Sequence, residues 1–422
     1  MKIAVIGSGI SGLSAAWLLA NRHQVTVFEA GTYAGGHSNA VDVTLDGHTH
    51  PVDTGFLVFN ERTYPNLIAL FEKIGVREFN SDMSFSVKLP GENLEWAGSN
   101  LGSLFAQKSN LLRPAFWRMI ADILRFNRQA ETLRVKAEQQ QLTLGQLIAA
   151  EGFGDAFANW YLLPMGAAIW STPVSGMLGF PAATFIRFCQ NHGLLQISNR
   201  PQWKTVAGSS REYVQRLVAG IGDVRLNSPV ESVRRQPDGA ILRVGGEDLR
   251  FDAVILACHS DQALALLADA DDNERAVLRE IRYAPNTAWL HTDVSVMPSR
   301  QSAWSAWNYY TAASGGADQP VAVTYWLNKL QPLPFTTPVF VTLNPPEPIA
   351  ADKVLRRFDY DHPQLDQAAY AAQQRVASIQ GRNHTWFAGA WTGYGFHEDG
   401  LKSGIRVAKL LGATIPWHAE LD

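Results

Sequence analysis

The chain has 422 residues, 36 basic against 39 acidic, with 46% hydrophobic and 18% charged side chains. That length admits a large core and two or three domains, and the near-neutral balance gives no hold for nucleic acid. No run of about 18 apolar residues is present to cross a membrane, and Cys189 and Cys258 alone suggest a reducing, cytoplasmic setting rather than a disulfide framework. The 11 histidines lack ligand spacing, so no metal site is expected; His48 and His50 read as surface residues. The 13 tryptophans belong mostly to the core, with some free to line an apolar cavity.

The first thirty residues read as strand, turn, helix, strand. Residues 2–6 are a short β-branched run, followed by Gly7-Ser8-Gly9-Ile10-Ser11-Gly12, a helical stretch at 13–20 and a second strand at 25–28 ending at Glu29. The start resembles a signal peptide, but the glycine turn interrupts its apolar run, and it reads as structure. Gly7 permits the tight turn, Gly9 lets backbone approach a pyrophosphate, and Gly12 lets helix and strand pack closely. Glu29 lies where a carboxylate can accept from a ribose diol. A second pair, Gly35-Gly36, can bring backbone past the phosphates from the other side, which indicates FAD rather than NAD.

Further on, helical spacing predicts a helix over 64–75, and 85–89 with 94–96 predict a hairpin. Residues 101–190 read as mostly helical. They include a long amphipathic run at 116–141, a short helix at 144–151 capped by Thr143, and one at 155–168 that Pro164 should kink or end. A helix over 211–220, strands at 224–226 and 227–233, and a hairpin turning at Asp238-Gly239 come next. The stretch 252–258 is apolar enough for a parallel sheet. Strands follow at 288–293, 303–310, 321–326 and 339–343. The aromatics of 304–310 can either line an apolar cavity or pack against helices. A strand at 386–388, a loop with Gly389, Gly393 and Gly395, and a helix over 399–411 close the pattern. The positive end of that helix would face a flavin ring.

Several of these stretches resemble the flavin amine oxidase superfamily. They are Glu29-Ala30, Gly35-Gly36-His37-Ser38, Val52-Asp53-Thr54-Gly55-Phe56, the glycine turn at 202–210, and the C-terminal run with Gly389 and Asp399-Gly400-Leu401. Within the superfamily, the pattern is similar to bacterial amine oxidase-like flavoproteins and to the flavoprotein domain fused to plant cyclopropane fatty acid synthases. The resemblance implies an α/β fold: an interrupted doubly wound, Rossmann-like FAD domain (1–80, 202–280, 371–422) and an α+β substrate domain with a helical lid (81–201, 281–370). It implies cofactor contacts from Gly7, Gly9, Ser11, Gly12, Glu29 and Ala30, from Gly35, Gly36, His37, Ser38, Gly55 and Phe56, and from Val230, Gly389, Asp399, Gly400 and Leu401. His37 stands where the superfamily usually has arginine, Trp391 follows Gly389-Ala390, and 286–293 lacks the lysine many amine oxidases carry. The C-terminal motif has no cysteine, so FAD should be noncovalent.

Aligning the last helix places His397 where amine oxidases put a substrate-flanking aromatic residue. There it could act as acid or base with Glu398 beside it, or simply bond a loop carbonyl. The implied activity is FAD-dependent oxidation of an apolar substrate, a methyl-branched or cyclopropane-bearing fatty acyl chain. A true amine oxidase and a non-redox binding protein or isomerase are the rivals. Implied partners are a small apolar or lipid substrate, O2 or another electron acceptor, and a membrane surface or a lipid-modifying methyltransferase.

Overall fold

In the computed structural model, which describes residues 1–196, 200–312 and 319–421, the N-terminal apolar run forms the strand Lys2–Ile6, buried from its second residue on. It is the middle of a five-stranded, wholly parallel sheet in the order Asp223–Arg225, Gln24–Phe28, Lys2–Ile6, Ala253–Leu256, Thr385–Phe387. Strands drawn from such distant parts of the chain require long excursions between them, which is the interrupted doubly wound arrangement. Ala253–Leu256 is buried throughout, as its continuous apolar sequence demands. The antiparallel meander Val230–Gln236, Gly239–Val244, Glu247–Phe251 leads into it.

A second sheet has seven strands, in the order Val354–Gln364, Arg282–His291, Phe340–Leu343, Ala322–Trp326, Trp307–Tyr310, Phe85–Leu89, Leu94–Ala97. Neighbours are antiparallel except Trp307–Tyr310 beside Phe85–Leu89. The 11-residue strand Val354–Gln364 was not expected from the sequence. It sits at the sheet edge, where exposed Arg356, Arg357 and Asp359 and the missing N–H of Pro363 are tolerated. The expected strand over 303–310 begins only at Trp307. Trp304 therefore leaves the sheet and packs with Trp326 and Phe340 in a small satellite cluster.

Residues 101–191 are largely helical. Pro114–Gln140 opens on proline, whose missing N–H is harmless in a first turn, and turns Phe116, Met119, Phe126 and Leu133 inward, packing against Ala182–Asn191. Thr143 caps Leu144–Ala150 by accepting from Gln146 N at 3.3 Å, and Gln146 reciprocates at Thr143 N. Pro164 does not end its helix. A π-turn, Ala158–Leu162, precedes it, and the helix runs on as Leu163–Trp170. The wider turn eases the crowding a proline imposes on the carbonyl four residues back.

The C-terminal helix His397–Leu410 begins two residues earlier than the sequence suggested, with Phe396 at its N-cap. It lies on the first helix, Ile10–Leu19, through glycines: a Cβ at Gly404 would come 2.5 Å from Ser11 O, and one at Gly400 2.8 Å from Ile10 Cγ2.

Candidate active site

A cavity of about 770 Å³ opens where the parallel sheet ends. Each of its five strands sends the residues just past its C-terminus into the wall: Gly7–Ser11, Glu29 and Ala30, Ser228 to Val230, Ala257 to His259, and Gly389 to Trp391. That is where ligands bind in open α/β sheets. Gly7 has φ +103°, and a Cβ there would meet Ala257 O at 2.7 Å; a Cβ at Gly12 would lie 2.0 Å from Gly7 O. Gly9 caps the first helix and has open space where its Cβ would be. The free N–H groups of that first turn are suited to a phosphate. Gly36, at φ +59°, passes so near Gly9 that a Cβ would be 3.2 Å from Gly9 Cα. Phe56 N donates to His37 O at 2.8 Å, and a Cβ at Gly55 would fall 2.2 Å from that oxygen. The Gly35-Gly36-His37 and Thr54-Gly55-Phe56 segments are thus pressed together along one wall.

Glu29 is held in place: Oε2 accepts from Ser8 N at 3.0 Å and Ser8 Oγ at 2.6 Å, and Oε1 from Gly31 N at 2.8 Å. A carboxylate has about four lone-pair sites, so capacity remains for a sugar hydroxyl. The helix N-terminus, the open site at Gly9 and the fixed acid fit FAD, with Ser11, Ala30, Gly35, Val230 and Gly389 also on the wall.

Where an arginine was to be expected, His37 stacks on Tyr360 at 4.8 Å with His362 5.4 Å away, and His259 stacks on Tyr283 at 4.2 Å. Burial first, then the neighbouring imidazoles, push His37 down to about 3, and burial with His259 takes His362 to about 4. These rings are neutral. His37 Nε2 is buried without a protein partner. Among the described residues no lysine or arginine lines the cavity, and its charged side chains are Glu29, Glu231 and Asp361. Towards the helical block the wall turns apolar and aromatic: Met83, Ile169, Trp170, Phe188, Trp203, Trp307, Tyr325, Tyr394 and Phe396. Trp307 and Tyr325 meet edge to face at 4.8 Å, so one pair of the sheet aromatics does face the cavity. Cys258 also lines it, its thiol pushed up to about 12 by burial and so uncharged.

His397 lines the cavity too. Its ring stacks on Phe56 at 3.8 Å and 12°, and its Nε2 bonds Tyr213 Oη at 2.8 Å. The Tyr213 hydroxyl also bonds Ser38 Oγ. Burial lowers the imidazole to about 3, so it is a neutral hydrogen-bonding group and not a cationic acid.

Other expected site residues lie elsewhere. Glu398 lies off the cavity wall: Oε1 accepts from Asn66 N at 3.0 Å and Asn66 Nδ2 at 2.7 Å, and Oε2 from Leu67 N at 3.0 Å. It caps the helix Pro65–Ile74 and faces away from the cavity. Asp399 accepts from Phe396 N at 3.0 Å and closes its own helix start. Gly400 packs on Ile10 and Ser11, Leu401 is core, Gly12 holds helix to turn, and Ser38 is linked to the cavity through Tyr213 and His397. These serve the frame around the cavity. Sequence reasoning missed His259, Tyr283, Tyr360 and His362. His259 could have been found, because it follows a strand of the parallel sheet; Tyr360 and His362 lie on the unforeseen edge strand.

Comparison with known proteins follows the same lines. A family model described as flavin containing amine oxidoreductase matches residues 10–315. The curated carotenoid phi-ring synthase of Streptomyces griseus is 28% identical over 324 residues; the match spans 69% of this chain but only 60% of that relative's length. Among solved structures, a CLA-producing fatty acid isomerase from P. acnes superposes with TM-score 0.65 at 14% identity, covering 97% of both chains. Cyclohexylamine oxidase from Brevibacterium oxydans gives TM-score 0.66 at 15% identity, covering 97% of this chain and 99% of its own. At such identities the structural likeness establishes the fold.

Proposed function

Because the chain belongs to the flavin-containing amine oxidoreductase family and is an FAD-dependent oxidoreductase, we propose that it dehydrogenates an uncharged apolar substrate, a modified fatty acyl chain presented without a free charge. One observation carries this reading. The substrate end of the cavity is aromatic and aliphatic, and among the described residues no lysine or arginine on its wall would neutralise a free carboxylate. Among the described residues the wall's carboxylates are Glu29, Glu231 and Asp361: Glu29 and Glu231 belong to the end near Gly9 and Val230, and Asp361 acts on His259 at the end of the parallel sheet, so none is placed to hold an ammonium among the aromatics. Two of the compared proteins are named for molecules with long apolar chains, a fatty acid and a carotenoid, which supports an apolar substrate, while its lack of charge rests on the wall alone.

Bound FAD would supply the two-electron acceptor, with O2 or a partner as its reoxidant. The chain's own part is positional. The first-helix N-terminus and the Gly35-Gly36 passage would hold the pyrophosphate, and Glu29 would hold the ribose. Trp170, Phe188, Trp307 and Tyr325 exclude water around the reacting carbon. His397 serves as a neutral hydrogen-bonding wall, tied through Tyr213 to Ser38. Cofactor binding is assigned to the discontinuous unit 1–80, 202–280 and 371–422, and substrate binding to 81–201 and 281–370. FAD is held noncovalently.

The test is anaerobic titration of the yellow protein with acyl esters, free acids and amines while the oxidised flavin band is followed. Bleaching by an ester, and not by free acid or amine, is the expected result. Bleaching by amines alone would make it an amine oxidase. Product formation without any bleaching would make it an isomerase.

A further inference from the structure

The helical block has one face that serves neither core nor cavity. In Pro114–Gln140, Phe116, Met119 and Phe126 turn inward, while Trp117, Ala121, Leu124 and Arg128, spaced i, i+4, i+7, i+11, share the outward side. Just before it, the turn Lys108–Leu112 holds Leu112 out at 88% exposure, and Leu101 stands at 76%. These tips form one surface. Trp117 Nε1 donates to Leu111 O at 2.9 Å, and the Trp117 ring lies 5.3 Å from that of Phe105, which directly follows Leu101–Leu104. Leucines this exposed, grouped around a tryptophan, mark an interaction surface.

The charge along this stretch of sequence is one-sided. Residues 101–130 contain Lys108, Arg113, Arg118, Arg125 and Arg128 against Asp122 alone, in a chain whose net charge is −3. Asp122 is already paired with Arg125 at 2.9 Å. A second copy docking here would bring like charges together. Protruding leucines need no socket in a bilayer, tryptophan favours the headgroup level, and the cations complement anionic lipids. We propose that this face docks on an anionic membrane surface, with Leu101, Leu111, Leu112 and Trp117 entering the interface and Lys108, Arg118 and Arg128 over the headgroups. The same block supplies Ile169, Trp170 and Phe188 to the cavity wall. The proposal rests on the surface itself and holds whether or not the substrate is an acyl ester.

The experiment is flotation of the full, FAD-loaded chain with vesicles of phosphatidylcholine alone or mixed with phosphatidylglycerol. Binding to the mixed vesicles is expected at low salt, with clear weakening at high salt. Leu112→Asp should weaken it about tenfold. The double reversal Lys108→Glu, Arg118→Glu should abolish the preference for anionic lipid. Flavin content and thermal midpoint of both variants should stay at the wild-type values, because these side chains are exposed. No binding at about millimolar lipid, equal binding by Leu112→Asp, or a dimer that Leu112→Asp dissociates would each overturn the proposal, the last by showing that a second copy covers the face.

Discussion

Glu398 follows His397 directly, yet a helix turns about 100° per residue, and the two side chains reach different neighbours. His397 faces the cavity, whereas Glu398 satisfies the first N–H groups of Pro65–Ile74. Glu398→Ala would leave those buried donors unpaired, at a cost of about 1–3 kcal/mol. The expected outcome is a lower thermal midpoint with kcat unchanged at a temperature where the variant is folded. His397→Phe is the complementary change, keeping the stack on Phe56 while losing the bond to Tyr213. Since burial holds the imidazole near 3, it stays neutral throughout the usual assay range and contributes no inflection to the pH–rate profile. The variant should lose about tenfold or less in kcat and keep the profile's shape. A loss of about 10²–10⁴ with a displaced limb is what a general acid or base would give.

Two helices, Ile10–Leu19 and His397–Leu410, bring the ends of the chain together, and they do so on glycine. At Gly404 a Cβ would lie 2.5 Å from both Ser11 O and Ser14 Oγ, neither of which can move far in a buried helix. Gly404→Ala should therefore push the helices apart, costing about 1–3 kcal/mol and shifting Ser11 and Gly9 at the cavity. Flavin content of the purified variant, measured beside its thermal midpoint, should fall with it. Full flavin at an unchanged midpoint would refute this contact. The same pair shows what was legible in the sequence. Gly7, Gly9 and Gly12 could be read because turn geometry dictates glycine at fixed spacing, and Ala253–Leu256 because a doubly buried strand must be apolar. Gly404 could not, since its partner lies some 390 residues away along the chain, at Ser11 and Ser14. Nor could Val354–Gln364, because an edge strand with one wet side carries the charges and proline of a loop. Tyr360 and His362 were lost with it. The partners of Glu398 were hidden for a related reason: only the fold shows that Asn66 waits opposite.

Across the whole molecule, the balance of buried titratable groups sets how the fold answers to acid. Burial lowers His37 and His397 to about 3 and His192, His291 and His362 to about 4. Unfolded, each titrates near 6.5. Between about pH 4 and 6.5 the unfolded chain therefore binds more protons at these sites, and each adds stability as pH rises, about 1.4 kcal/mol per unit. Asp53, Glu398 and Asp399 act in the opposite sense. Burial raises them to about 6, 7 and 6, so the folded chain keeps protons that the unfolded chain gives up above about 4. Five histidines against three carboxyls leave a net of two groups, and stability should fall by about 3 kcal/mol for each unit of acidification through this window. His259, also lowered by burial, adds to the same side. Urea midpoints of the FAD-loaded protein should be level from neutral to mildly alkaline pH and drop steeply towards pH 5. Replacing His362 by Asn removes one of the five, so its midpoint should decline less steeply than the parent's across the same range. A midpoint that holds or rises on acidification would mean that the imidazoles around the cavity are charged in the fold, and the neutral wall inferred for an uncharged substrate would go with them.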